Sequence, residues 1–272
     1  MRPINKMMKL NDGNQIPSLG FGTYLSKDEE VKQAVLAALK AGYRHIDTAM
    51  IYENEEGVGQ AIKESGIPRE ELFITTKLWN EDIRNENAEE ALKLSLKKLQ
   101  LDYIDLYLIH WPAKGYVKAW DQLIELQKSG LIKSIGVSNF NPHHLKDLEE
   151  SGVVPAINQI EIHPKLQQAD LIAYCKERGI QVQAWGPLMQ AALFQDETLT
   201  AIGEKYNKST AQVMLRWHLQ RGVNALPKSV TPSRIEANYQ IFDFELSKED
   251  MDQIAEMNEG KRVGPDPETF DF

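Results

Sequence analysis

The stretch Leu19–Tyr52, LGFGTYLSKDEEVKQAVLAALKAGYRHIDTAMIY, reads as strand, helix, strand. Two short apolar runs, Leu19–Thr23 and His45–Thr48, bracket a segment in which Val31, Val35, Ala38 and Leu39 recur at helical spacing. A helix carried between two strands is a crossover unit, and a succession of such units makes a parallel sheet. The same stretch indicates which sheet. An open doubly wound nucleotide-binding sheet wants G-x-G-x-x-G directly after its first strand. Here Gly20-Phe21-Gly22 is followed by Thr23-Tyr24-Leu25, with no third glycine. The closed barrel is the favoured reading.

Working outward, six further strand candidates follow: Phe73–Leu78, Ile104–His110, Ser134–Val137, Ile157–Glu161, Gln181–Trp185 and Val223–Leu226. Helical patterns separate them. Leu92, Leu96 and Leu99 share one face, and Thr231-Pro232 reads as an N-cap with proline at the first helical position, opening a helix through Ile241. Eight strand–helix repeats in 272 residues suit an α/β fold of the (β/α)8 (TIM) barrel type, which needs about 250. Before the first repeat, MMKL and QIPSL flank Asn11-Asp12-Gly13-Asn14, a hairpin signal that would cap the bottom of the barrel. No linker or low-complexity segment interrupts the chain, so residues 1–272 are expected to form one domain.

Composition excludes several roles. The net charge of −9 disfavours nucleic acid as a partner, since phosphate backbones call for basic surfaces. No apolar run approaches the roughly 20 residues that cross a bilayer, and MRPINKMMKLNDG lacks a signal-peptide apolar stretch. A cytoplasmic protein with no membrane partner is expected. One cysteine, Cys175, rules out an intramolecular disulfide, and its i, i+4 spacing from Leu171 marks it as a small core residue. His143-His144 is a poor chelate, because adjacent helical residues point about 100° apart. It reads as a solvated helix start after Asn141-Pro142, and no metal site is expected.

In such barrels functional groups stand at the C-terminal strand ends. Those ends carry Asp47 and Tyr52, Lys77 and Trp79, His110-Trp111, Ser138-Asn139, Gln159, Trp185, and Lys228-Ser229. Neighbouring strands lie about 4.8 Å apart, which would gather Asp47, Lys77 and His110 with Tyr52 arching over them. Tyrosine, with an ordinary pKa of about 10, is a poor acid at neutral pH. A nearby ammonium would lower it, and a carboxylate would keep that ammonium charged. Asp47, Lys77 and Tyr52 thus read as a tuned general acid, with His110 as a second donor to a carbonyl oxygen.

Three stretches now carry a resemblance covering nearly the whole chain: GYRHIDTAMIYENEEGVGQAI at 42–62, LQLDYIDLYLIHWP at 99–112 with IKSIGVSNF at 132–140, and LPKSVTPSRIEAN at 226–238. The chain resembles the aldo-keto reductases. AWGPL at 184–188 and VGPDPETF at 263–270 suggest the bacterial branch of 2,5-diketo-gluconate and glyoxal/methylglyoxal reductases. The resemblance implies an NADPH-dependent reductase of aldehydes and ketones, with Tyr52 as proton donor and Asp47, Lys77 and His110 completing the tetrad. It further implies that Ser138, Asn139 and Gln159 bind the nicotinamide carboxamide and that Trp185 stacks on the ring. Gly186 and Leu188 would meet the phosphates, Lys228, Ser229 and Arg234 the 2′-phosphate, and Asn238 the adenine. Gly22, Thr23 and Asp47 would touch the ribose–nicotinamide side. Ala237 departs from the Glu or Gln common in relatives, which implies weaker or faster-released cofactor. The family barrel usually acts as a monomer.

Tyr24, Met50, Trp79 and Trp111 are expected to wall a pocket for a small carbonyl compound, with His110 at its polar corner. The loop from Pro112 to Tyr116 and the tail to Phe272 are both short, which predicts an open, permissive pocket. Two other readings compete: a Schiff-base lyase using Lys77, and an NADPH-binding redox-sensing module with little turnover.

Overall fold

The computed structural model describes residues 6–272. The chain begins with a hairpin of β1 (Met7–Lys9) and β2 (Gln15–Pro17), paired antiparallel with Met8 opposite Ile16. Its turn is the expected one: Gly13 takes a positive φ of 91°, and the Asn14 amide donates to the Asp12 carboxylate at 2.9 Å. Leu10 and Ile16 are buried with Phe73, Leu106, Leu108 and Ile157, so the hairpin plugs the end at which the strands begin.

Eight parallel strands follow: β3 (Phe21–Gly22), β4 (His45–Asp47), β5 (Phe73–Leu78), β6 (Ile104–Ile109), β7 (Ile132–Ser138), β8 (Ile157–Glu161), β9 (Gln181–Trp185) and β10 (Asn224–Ala225). Each pairs with its neighbour in sequence order. The sheet closes on itself where Leu19 bridges Ala225, with Gly20 N donating to Ala225 O at 2.9 Å and Gly22 N to Pro227 O at 3.0 Å. The fold is the (β/α)8 barrel with an N-terminal hairpin. β5, β6 and β8 are buried on both faces, as strands sandwiched between side-chain layers and helices must be.

The helices form the outer ring. Val31, Val35, Ala38 and Leu39 are the buried face of the helix Asp28–Ala41, and Leu92, Leu96 and Leu99 that of Ala88–Leu99. The helix Glu55–Ser65 presses directly on the second of these. A Cβ on Gly59 would lie 2.4 Å from the Leu99 carbonyl oxygen, so only glycine allows the approach. Pro232–Tyr239 is helical as expected, but Thr231 offers no side-chain cap; its amide instead donates to Ser229 Oγ at 3.1 Å. Cys175 is buried, and burial pushes its thiol up to about 11.

Candidate active site

The C-terminal ends of the strands open on a cleft of about 1340 Å³. Asp47 ends β4 and Lys77 stands one residue from the end of β5, both essentially out of solvent. Lys77 Nζ donates to Asp47 Oδ1 at 2.6 Å and to the Thr48 carbonyl at 2.7 Å, and lies 3.5 Å from the Tyr52 hydroxyl. Asp47 Oδ2 accepts from Gln159 Nε2 at 2.8 Å, so both carboxylate oxygens are committed. Burial raises Asp47 and lowers Lys77, and each offsets the other's loss of water through the ion pair.

Tyr52 is delivered by a 3-10 turn, Met50–Tyr52, after β4. Asn54 pins that turn: its Nδ2 donates to Thr23 O at 2.9 Å and Ser26 O at 2.7 Å, while its Oδ1 accepts from Thr48 Oγ1 at 2.6 Å. The turn rotates Met50 away from the cleft and onto the core. Ile51, not Met50, is the apolar wall here, because in a turn of three residues successive side chains diverge.

The Tyr52 phenol is held well above its usual range, first by burial and then by the Asp47 charge. This corrects the lowering expected from Lys77. The ammonium is neutralised by Asp47 in the resting site, so it does not draw the phenol toward ionisation, and Tyr52 keeps its proton. His110 follows β6, and its ring packs edge-on against Tyr52 and Trp79, with centroids at 5.7 and 5.2 Å. Burial and the Lys77 charge hold this imidazole well below its usual range, so it is neutral and can donate one N–H.

Gln159 Nε2 donates both to Asp47 and to Gln183 Oε1 at 2.6 Å; its Oε1 carries no protein hydrogen bond among the described residues. Asn139, in the left-handed region with φ 65°, lines the cleft but is engaged by protein. Its Nδ2 donates to His110 O and Ser138 Oγ, and its Oδ1 accepts from Trp185 Nε1 at 2.8 Å. Ser138 Oγ donates to Gln159 O at 2.8 Å.

Gly22, Thr23, Tyr24, Trp79, Trp111, Trp185, Gly186, Leu188, Lys228, Ser229, Arg234 and Asn238 all line the same cleft, as does Ala237. A Cβ on Gly22 would meet the Leu226 and Pro227 carbonyl oxygens at 3.4 and 3.7 Å, so at this rim position the first strand lies close against the chain that follows the last. Lys228 and Arg234 have no carboxylate partner among the described residues, and they flank the start of the eight-residue helix Pro232–Tyr239. Two uncompensated cations beside a helix N-terminus suit a phosphate. The cleft thus fits a dinucleotide phosphate, with a free acceptor at Gln159 and a cationic end at Lys228 and Arg234.

The chain's tail was the part of the site least visible beforehand. Phe272 stacks on Trp79 at 5.8 Å and meets Trp111 at 5.3 Å, while Phe270 packs on Trp111 at 5.1 Å. Asn80 Nδ2 and Arg84 hold the Phe272 carbonyl oxygen at 3.1 and 2.6 Å. The tail closes one side of the pocket, contrary to the open mouth expected. Upstream, Glu161 at the end of β8 accepts from the Val263 amide at 2.6 Å and from Gly264 at 3.3 Å, strapping the tail across Trp185.

His144 is not solvated, as expected from sequence, but buried. Its Nδ1 accepts from the Asn141 amide at 3.1 Å, completing a capping box, and Glu268 of the tail lies beside His143. An Nδ1 that accepts leaves the proton on Nε2, so His144 cannot ligate a metal without breaking its cap.

A closed barrel whose rim carries a buried Asp–Lys pair, a protonated tyrosine and a neutral histidine, beside a cleft shaped for a dinucleotide phosphate, defines a barrel oxidoreductase. The aldo/keto reductase family profile matches residues 18–259, and the chain belongs to that family. It is 53% identical over 270 residues to the methylglyoxal reductase DkgA of Escherichia coli (strain K12), covering 97% of this chain and 98% of that one. It is 54% identical over 272 residues to the glyoxal reductase of Bacillus subtilis (strain 168), covering 99% of each. The crystal structure of the Bombyx mori aldo-keto reductase AKR2E4 in complex with NADP superposes with a TM-score of 0.91 at 42% identity, covering 96% of this chain and 95% of that one.

Proposed function

We propose that this enzyme reduces small aldehydes and α-dicarbonyl compounds of the glyoxal and methylglyoxal type to alcohols, using NADPH. The observation that carries the reading is the tetrad geometry: a protonated Tyr52 hydroxyl 3.5 Å from an ammonium that is already neutralised by Asp47. When bound, NADPH supplies the hydride that adds to the carbonyl carbon. Lys228, Ser229 and Arg234 would hold its 2′-phosphate, Gln159 Oε1 would accept from its carboxamide, and Trp185 would stack on its ring. Gly186 and Leu188 stand along the path between them.

His110 orients the substrate by donating its N–H to the carbonyl oxygen. Tyr52 gives its proton to that oxygen as negative charge develops there. The phenolate left behind faces the Lys77 ammonium in a dry site, where the attraction is far stronger than in water. Solvent then restores the proton. Trp79, Trp111 and Phe272 would face the substrate with aromatic surfaces. The tetrad is complete within one copy of the chain, so a monomer would suffice for turnover, and a single buried thiol suits the cytoplasm.

The test is NADPH oxidation with methylglyoxal and with a nitrobenzaldehyde, comparing wild type with Tyr52→Phe. The variant should lose about 10³-fold in kcat with unchanged NADPH affinity. Equal turnover in both proteins would overturn the assignment of Tyr52.

A further inference from the structure

Beneath the tetrad, a run of side-chain amides crosses the barrel interior. Gln159 on β8, Gln183 on β9 and Asn224 on β10 are in register on adjacent strands, and none is more than 2% exposed. Gln159 Nε2 donates to Gln183 Oε1 at 2.6 Å, Gln183 Nε2 donates to Asn224 Oδ1 at 2.6 Å, and Asn224 Nδ2 donates to the Pro17 carbonyl at the end of β2. At the other side Gln159 Nε2 donates to Asp47 Oδ2 at 2.8 Å.

The two ends of this run can only accept: one is a carboxylate and the other a peptide carbonyl. That fixes the direction of every amide between them. Pro17 requires the nitrogen of Asn224, whose oxygen then requires the nitrogen of Gln183, whose oxygen requires the nitrogen of Gln159. Asp47 makes the same demand from the opposite side. Both ends of the run thus converge on one atom, Gln159 Nε2, and use both of its N–H groups. Gln159 Oε1 is thereby left as a pure acceptor with no protein partner among the described residues.

We propose that Gln183 and Asn224 are positioning residues for cofactor recognition, fixing the Gln159 amide so that its oxygen alone meets the nicotinamide carboxamide. The inference rests on the proposed role of Gln159 in binding that carboxamide. Held by two bonds, the planar amide of Gln159 has one orientation. Without Gln183 it hangs from Asp47 by one bond, its second N–H is buried without an acceptor, and it turns about that bond to seek one. It then offers an N–H where it had offered oxygen. The carboxamide loses the acceptor that distinguishes its NH2 from a methyl group.

The experiment compares Kd values for NADP+ and for its 3-acetylpyridine analogue, in which a methyl replaces the amide NH2. Kd is read by quenching of intrinsic tryptophan fluorescence, and melting temperatures are recorded alongside. Wild type should prefer NADP+ by about five- to tenfold, the worth of one hydrogen bond. Gln183→Met, similar in shape but without the acceptor, should bring the two Kd values within about twofold of each other by weakening NADP+ alone. Gln183→Glu, kept neutral at this fully buried position, donates its O–H to Asn224 Oδ1, keeps its carbonyl oxygen facing Gln159 and should restore the preference. Should the methionine variant fail to fold, Asn224→Ala, which frees Gln183 to reverse its amide, carries the same expectation. A Gln183→Met or Asn224→Ala protein that keeps the full preference, or weakens both ligands equally, overturns the proposal. Wild type with no preference overturns instead the carboxamide role of Gln159 on which it rests.

Discussion

Gly264→Ala tests whether the tail strap sets the face on which the nicotinamide ring would lie. A Cβ at position 264 would stand 2.3 Å from Cη2 and 3.0 Å from Cζ3 of Trp185, with Glu161 Oε2 at 3.4 Å on its other side. Carbon atoms in contact sit about 3.5–4.0 Å apart, so one partner must retreat by more than an ångström. The strap is held by the Val263 and Gly264 amides on the buried Glu161 carboxylate, bonds to a charge worth about 1.5–3 kcal/mol each. The indole is held by one neutral bond to Asn139, worth about 1 kcal/mol. The ring therefore yields. A displacement of about 1 Å in a positioning group costs about 100-fold in kcat/KM, while stability falls only by about the one broken bond. Stopped-flow turnover with methylglyoxal, NADPH affinity and a thermal melt measure the three terms. In a Trp185→Phe background, which lacks the benzo edge, the same alanine should cost less than about threefold. If Gly264→Ala alone keeps kcat/KM within about threefold of wild type, the strap does not set the ring.

Two further outcomes follow from charge. Lys228→Ala with Arg234→Ala removes two charge-assisted contacts and should reduce the NADPH-over-NADH preference in kcat/KM by at least about 30-fold, leaving the NADH rate within about threefold; an unchanged preference would remove these residues from the 2′-phosphate site. For stability, burial holds His45 and His218 neutral with pKa values of about 3, against an ordinary 6.5. The unfolded chain binds these two protons as pH falls below about 6.5 and the folded protein does not. Urea-unfolding free energy should thus be flat well above pH 6.5 and drop by at least about 2–3 kcal/mol per pH unit between about pH 6 and 5, His110 adding a third proton of the same sign. A flat profile across that window, where few carboxylates yet titrate, would mean that the histidines are not buried neutral.

What the sequence disclosed and what it hid divide along physical lines. Phe73–Leu78, Ile157–Glu161 and Gln181–Trp185 are strands over the residues expected, because abrupt turns bound their apolar runs. Leu19–Thr23 and Val223–Leu226 shrink to two paired residues each, since these strands meet at the closure of the barrel and hydrogen-bond over a shorter length. Asp47, Lys77 and His110 could be gathered on paper because strand periodicity alone puts neighbouring ends on one rim. The tail could not: Phe270 and Phe272 reach Trp111 by a return path that no local pattern encodes. The direction of Met50 was equally hidden, being set by a 3-10 turn rather than by strand alternation. Gln183 and Asn224 look like ordinary strand residues until their registers are known.

Burial and the Asp47 charge keep Tyr52 protonated at rest, so its proton is in place to meet a carbonyl oxygen. A phenol drawn down by a free ammonium would be partly ionised at rest and would hold fewer protons to give. Here Asp47 and the Thr48 carbonyl saturate Lys77 in the resting state, so the phenol remains protonated. The lysine's charge acts only once the proton has left and a phenolate faces it. Stabilisation confined to the transferring state is what lowers a barrier, whereas stabilising the resting phenolate would not. The reverse reaction starts from that same phenolate beside Lys77, which takes the alcohol's proton. Both directions pass through that same transferring state, so the four residues serve carbonyl reduction and alcohol oxidation alike, and the cofactor form in excess sets the net direction.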